Sequence, residues 1–170
     1  MIVISWNIRG INSKGKQRYL KERLKKDKPG IIIIQETKIS MQQMEGIIKN
    51  GKLKYEVMGQ DAIGSAGGIA ILWNPDEIVF ENWISMARVL TGIGRITGTK
   101  ERILISGVYG PHVLGEREGF LRNVQAVRRI YPEITWIAGG DFNLIKTVEE
   151  KKGGIRKPDQ YMEMFNEMIN

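Results

Sequence analysis

Pro29-Gly30-Ile31-Ile32-Ile33-Ile34-Gln35-Glu36-Thr37-Lys38 decides the fold. Four consecutive β-branched residues with no polar alternation describe a central strand buried on both faces. Pro29-Gly30 ends the segment before it, and the polar tetrad from Gln35 marks its exit. Upstream, Ile2 to Asn7 reads as another strand, broken by Gly10, Asn12 and Gly15. Gln17 to Lys28 reads as a helix, with Tyr19, Leu20 and Leu24 on one face and lysines, arginines and acids on the solvated remainder. Downstream, Ser40 is an N-cap for a helix through about Asn50, in which Met41, Met44, Ile47 and Ile48 fill core.

Further strands are predicted near Tyr55–Met58, Gly68–Trp73, Glu77–Trp83, Arg88–Ile96 and Arg102–Tyr109. Trp6, Trp73, Trp83 and Trp136 all fall in strand patterns and read as core. Gly115 to Tyr131 is helical in spacing, through Phe120, Val124, Val127 and Ile130. Ile134–Ala138 is a strand that runs into Gly139-Gly140-Asp141-Phe142-Asn143. A charged glycine loop, Lys146 to Lys157, precedes a last helix, Asp159–Ile169. The order of elements gives a mixed α/β domain with helices covering the sheet faces.

Composition agrees. A chain of 170 residues, 42% hydrophobic and 26% charged, is one ordinary globular domain. The absence of cysteine excludes disulfides, thiolate metal sites and a cysteine nucleophile. No apolar run approaches the ~18 residues of a membrane helix. Met1 opens directly into a strand pattern, so the expected location is intracellular, nuclear or cytoplasmic, and not secreted. Lys and Arg number 26 against 19 Asp and Glu, a net +7 that suits a polyanion partner or simply a solvated surface.

Polar residues end three of the apolar strands: Asn7, Glu36, and Asp141 with Asn143. Loops carried by a rigid sheet are where sites are built. A carboxylate after four isoleucines suits a hard cation such as Mg2+, to which Asn7 can add a carbonyl oxygen. Asp as water-orienting base and Asn as phosphate donor suit metal-assisted phosphodiester hydrolysis. Singly, Glu36 also reads as a cap for the next segment, and Asp141 as the start of an Asx-turn.

Taken in order, Ser5-Trp6-Asn7-Ile8-Arg9-Gly10, Gln35-Glu36-Thr37-Lys38, Val108-Tyr109-Gly110-Pro111-His112 and Gly140-Asp141-Phe142-Asn143 resemble the motifs of the endonuclease/exonuclease/phosphatase superfamily. They look most like the apurinic-endonuclease-like domain of plant non-LTR retrotransposons. Ser65-Ala66-Gly67-Gly68 and Glu150-Lys151-Lys152-Gly153-Gly154 look like that subgroup too. The resemblance implies an α/β sandwich of two packed mixed sheets flanked by helices. It implies Glu36 as the principal ligand of Mg2+ or Mn2+, with Asn7 organising metal and phosphate. Tyr109 would contact the scissile phosphate, Asp141 would orient or deprotonate the attacking water, and Asn143 would hydrogen-bond the phosphate. Arg9, Lys38 and His112 are candidate phosphate or nucleic-acid contacts; Arg9 stands where some members carry a second acid.

The same family ends in a further acidic residue and a Ser-Asp-His motif that this sequence lacks. The four-layer sandwich is therefore expected to be incomplete, with an unpaired edge through which the chain self-associates. The implied function is a C-terminally truncated Mg2+-dependent endonuclease with DNA as ancestral substrate and weak or lost hydrolysis. The alternative is a non-catalytic module that binds protein or nucleic acid. A third reading, a phosphatase acting on a small phosphorylated lipid or sugar, fits the motifs less well.

Overall fold

A computed structural model describes residues 1–62, 67–153, 157 and 159–169. Ser65, Ala66 and Gly154 of the subgroup motifs lie outside the described residues. Strand β1 (Val3–Asn7) pairs in parallel with β2 (Ile31–Gln35) across helix α1 (Lys14–Asp27). After α2 (Met41–Asn50), β3 (Glu56–Gln60) and β4 (Ile69–Trp73) are antiparallel to each other, and β4 is antiparallel to β2. The first sheet is thus ordered β1-β2-β4-β3. The second is a meander of β5 (Ile78–Met86), β6 (Val89–Ile96) and β7 (Arg102–Tyr109). Helix α3 (Arg117–Ile130) then returns the chain to β8 (Thr135–Asp141), parallel to β7. Helix α4 (Gln160–Ile169) follows. Each sheet therefore carries one parallel strand–helix–strand unit at its edge.

The isoleucine run shows why the sheets stack. Ile31 and Ile33 face the second sheet, packing with Ile69, Ile71, Leu90 and Ile105. Ile32 and Ile34 face the other way, beneath Leu20, Leu24, Met44, Ile47 and Ile48 of α1 and α2. All four are at most 1% exposed, each a burial of about 1.5–3 kcal/mol. A third core forms where Phe120, Leu121, Val124 and Val127 of α3, with Phe165 of α4, cover Leu104 and Val108. The result is four layers, helix–sheet–sheet–helix, as the sequence implies.

Several local expectations shift. Helix α1 starts at Lys14, three residues before the predicted Gln17, because Ser13 caps it by accepting from the Lys16 amide. Ser40 caps α2 as expected, with Gln43 completing a capping box. Tyr19 is half exposed, lying edge-on to Trp6, and Ile130 points outward at the end of α3. Strand β3 lies slightly later than predicted and β5 runs on to Met86, with an irregularity between Phe80 and Asn82. A short 3-10 turn, Leu114–Glu116, stands where the helix was expected to begin. Trp73 is buried, whereas Trp6, Trp83 and Trp136 are half-buried against the cores.

Strands β1 and β8 end their sheets on the same flank and pack on each other. They are mostly half-buried, while β2 and β4 are wholly buried. Among the described residues, no helix is long and apolar enough to cross a membrane.

Tyr55 ties the first sheet to the turn before β2, its hydroxyl donating to the Pro29 carbonyl at 2.7 Å. Burial, with Glu77 nearby, pushes its phenol up to about 12. The folded pKa lies above the unfolded one, so this contribution to stability is complete below about pH 10 and lost as pH rises toward 12. Urea-unfolding midpoints followed across that window should fall less steeply in Tyr55→Phe than in the wild type. Parallel profiles would remove Tyr55 from the alkaline transition.

Candidate active site

Because β1 and β2 run in parallel, as do β7 and β8, each pair delivers its C-terminal ends to one place. Asn7 lies opposite Gln35 in the register, and Tyr109 opposite Asp141. Stacking of the sheets then brings the two ends together. The Asn7 side-chain amide donates to Glu36 Oε1 at 2.8 Å and to Asp141 Oδ2 at 2.9 Å. The second of these bonds joins residues 134 positions apart. Its carbonyl oxygen accepts from the Arg9 amide at 3.2 Å, so the observed amide orients two carboxylates.

The loops at these ends are held in conformations that L-residues rarely choose. Arg9, Glu36, Lys38 and Asn143 all have left-handed φ, between 50° and 55°. Such strain costs on the order of 1–3 kcal/mol per residue and persists where the surroundings impose it. Here the imposing contacts are visible. The Gly10 and Ile11 amides donate to the carbonyls of Glu36 and Thr37, and Lys16 Nζ donates to those of Ile8 (2.8 Å) and Arg9 (2.9 Å). The Asn143 side-chain amide donates to the Gly110 carbonyl at 2.6 Å. Asp141 Oδ1 accepts from the Asn143 amide at 3.1 Å, so Asp141 makes its Asx-turn and also faces the site.

Lys38 Nζ is 3.8 Å from Glu36 Oε2, setting a positive charge beside the acid. The Tyr109 hydroxyl is 3.1 Å from His112 Nε2. Burial raises the Tyr109 phenol pKa, and so do the Glu36 charge and hydrogen bond and the Asp141 charge, with Arg88 partly opposing them. Tyr109 therefore stays a neutral hydrogen-bond donor at neutral pH. Arg9 is exposed at the mouth of the first loop.

An open cavity of about 600 Å3 lies here, lined by Asn7, Asp141, Asn143, Gln35, Ser5 and Arg117 among others. The last three were not anticipated. Gln35, a buried polar group at the end of an apolar strand, is 1% exposed and donates to Ser5 Oγ. That position in the sequence was the available signal. Arg117 opens α3; its Nε is buried without a partner, and its Nη1 is 3.8 Å from Asp159.

The sequence profile of the endonuclease/exonuclease/phosphatase family matches residues 4–147, and the chain belongs to that family. None of the curated protein sequences matches the chain. Among solved structures, an AP endonuclease from Leishmania major superposes with a TM-score of 0.74 at 14% identity, covering 98% of this chain and 65% of its own. A 3′ phosphatase from Neisseria, bound to a product DNA hairpin, gives 0.70 at 16% identity, with 98% and 69% covered. A mannosyl-6-phosphatase from Bacteroides thetaiotaomicron gives 0.68 at 16%, with 96% and 68% covered. The chain thus spans about two thirds of the length of these relatives.

Enzymes of this family typically depend on a divalent metal. Among the described residues no three acidic or imidazole side chains cluster as a ready metal cage. The donor set is nevertheless all oxygen, with Glu36 and Asp141 held toward one amide. That suits Mg2+, which keeps several waters and takes one or two carboxylates plus substrate phosphate.

Proposed function

We propose that this domain is a Mg2+- or Mn2+-dependent phosphodiesterase of non-LTR-retrotransposon type, acting on DNA with low turnover. The observation that carries this reading is the Asn7 amide bridging Glu36 and Asp141, with Asn143 and Tyr109 on the adjoining loops. Glu36 would hold the metal, which when bound neutralises charge developing on the phosphate. Asp141, fixed by Asn7 and by the Asn143 amide, takes the proton of the attacking water as its oxygen bonds to phosphorus. The phosphorus–oxygen bond to the leaving group breaks, and that oxygen is protonated from solvent. Asn143 and the neutral Tyr109 hydroxyl donate to non-bridging oxygens, Arg9 and Lys38 supplement the positive field, and His112 offers a further hydrogen bond at the edge of the site.

The DNA assignment draws on the net +7 and on the motifs Gln35-Glu36-Thr37-Lys38 and Tyr109-Gly110-Pro111-His112. The retrotransposon kinship draws on the same motifs, and a nuclear or cytoplasmic site of action goes with it. Low turnover is the expectation for these 170 residues on their own: they include one histidine and no Ser-Asp-His motif, and one missing preorganised donor costs about 10²–10³ in rate.

The test is nicking of supercoiled plasmid and cleavage of an abasic duplex in Mg2+ or Mn2+, with EDTA and Glu36→Ala in parallel. Slow cleavage abolished by EDTA and by Glu36→Ala is the expected result. An inert, folded wild type defeats it.

The half-buried flank formed by β1 and β8 favours a second reading, a non-catalytic binding module that docks a partner or a second copy there. Its signature is capture of DNA or protein that survives both Glu36→Ala and Asp141→Ala, and dimers in sedimentation experiments.

A further inference from the structure

We infer that the groove between α1 and α2 is a binding track for single-stranded RNA, separate from the catalytic cavity. Residues 14–28 hold eight basic side chains and two acidic ones, +6 of the chain's net +7. Within that run Lys14, Arg18, Lys21 and Lys25 recur at intervals of four, three and four, so they share one flank of α1 over about 16 Å. Lys14, Lys21 and Lys25 enter no ion pair among the described residues, and Arg18 reaches Glu22 only at 3.8 Å, between two exposed side chains. This flank faces α2. Gln17, three residues after Lys14 and four before Lys21, lines a cavity of about 250 Å3 together with Asn12 and with Gln43, Gly46 and Asn50 of α2. A Cβ at Gly51, the cap of α2, would lie 3.2 Å from Lys21 Cδ, so Lys21 reaches across the far end of the groove. No lining residue is a carboxylate, and none is shared with the cavity at Asn7 and Asp141.

Cations along one bank and carboxamides on the floor fit a sugar–phosphate chain. Lysine takes phosphate as a point charge, with no demand on the sequence of bases. The space falls below the ~300–1,000 Å3 of small-molecule pockets, so it admits a length of one backbone and not a whole ligand or a duplex. The floor chooses between the two sugars. The Asn12 and Asn50 side chains have no hydrogen-bond partner among the described residues. Gln43, whose side-chain carbonyl accepts from the Ser40 amide at 2.9 Å, keeps its NH2 for a ligand. A carboxamide both donates and accepts, and so does a ribose 2′-hydroxyl, whereas deoxyribose offers only carbon-bound hydrogen at that position. An anionic membrane is the poorer match, because docking on one takes exposed apolar side chains beside the cations. The exposed large apolar residue of α1, Tyr19, lies on the other flank, against Trp6.

Fluorescence anisotropy of the full chain in EDTA, which silences metal-dependent cleavage, tests this with oligocytidylate dodecamers of RNA and of DNA. The RNA should bind at least about fivefold more tightly, the worth of one net hydrogen bond. Lys21→Gln combined with Lys25→Gln should flatten the slope of log K against log salt by about 1.4, as the loss of two phosphate contacts to a single strand requires. Gly46→Leu keeps every charge and fills the groove, since a Cβ at Gly46 would meet nothing within 4 Å. It should abolish the preference for RNA and leave the salt slope as it was. Plasmid nicking should be unaltered in both variants, and its loss in either would overturn the separation of the groove from the catalytic site. Equal RNA and DNA affinities in the wild type, an unchanged slope in the lysine variant, or displacement of the RNA by polyglutamate of equal charge overturns the track. A preference for RNA in a protein that cuts no DNA upholds the track and refutes only the catalytic reading.

Discussion

Asp141→Asn should slow metal-dependent nicking by about 10²- to 10⁴-fold relative to the wild type, the range for losing a positioned general base. The substitution is nearly isosteric, so the thermal midpoint should move little. One carboxylate oxygen accepts from the Asn143 amide, and the new side-chain carbonyl can keep that bond. The other oxygen accepts from Asn7. In the variant that position becomes an NH2 facing the NH2 of Asn7, donor against donor, so Asn7 must release Asp141's replacement or turn its amide over. Turning it over would also end its bond to Glu36. The variant therefore removes the proton acceptor and disorders the Glu36 side of the site in one step. Nicking and thermal unfolding measured on the same preparation separate this from misfolding. Wild-type nicking in Asp141→Asn would eliminate Asp141 as the base.

The residues of that network were legible in the sequence for a plain reason. Asn7, Glu36 and Asp141 are polar groups that terminate apolar strands, and such transitions are visible in one dimension. The layering was legible too, because Ile31 to Ile34 show no alternation and must meet a covering layer on each face. What the sequence could not supply is which strand ends meet. Nothing near Asn7 signals that its amide spans to Asp141; that follows from the second sheet stacking on the first. Arg117 was hidden for the same reason. On a helix with Arg122, Arg128 and Arg129 it looks like one more solvated charge, and only the placement of α3 beside the Asp141 loop turns it toward the cavity. Tyr19 and Ile130 failed in the opposite sense. Both have helical spacing with core residues, but Tyr19 lies over the edge strand β1, where Trp6 is half-buried, and Ile130 closes α3 past the end of the sheet. Periodicity specifies a face but not where the opposing layer stops.

Gly110→Ala should be the most damaging single-methyl change at the site, lowering stability by ~3 kcal/mol, the upper range for one substitution, and nicking to background. A Cβ at Gly110 would lie 1.7 Å from the Phe142 carbonyl oxygen and 2.3 Å from its carbon. Both atoms are backbone, so no rotamer change relieves the contact. The backbone conformation of Gly110 is not left-handed, which makes the effect purely one of space. That closeness also has a purpose. The Gly110 amide donates to the Asp141 carbonyl at 2.7 Å, and the Gly110 carbonyl accepts from the Asn143 side chain. Gly110 therefore fastens the Tyr109 loop to the loop bearing Asp141 and Asn143, and pushing them apart displaces three site residues together. Gly46→Ala is the matched control. Gly46 lies inside α2, and a methyl added there would meet nothing within 4 Å, so alanine should stabilise by about 0.5–1 kcal/mol through helix propensity. Urea unfolding and nicking of the two variants side by side decide the matter. If Gly110→Ala unfolds at the wild-type midpoint and still cuts, the two loops are not coupled through that contact, and the site tolerates more separation between Tyr109 and Asn143 than the geometry allows.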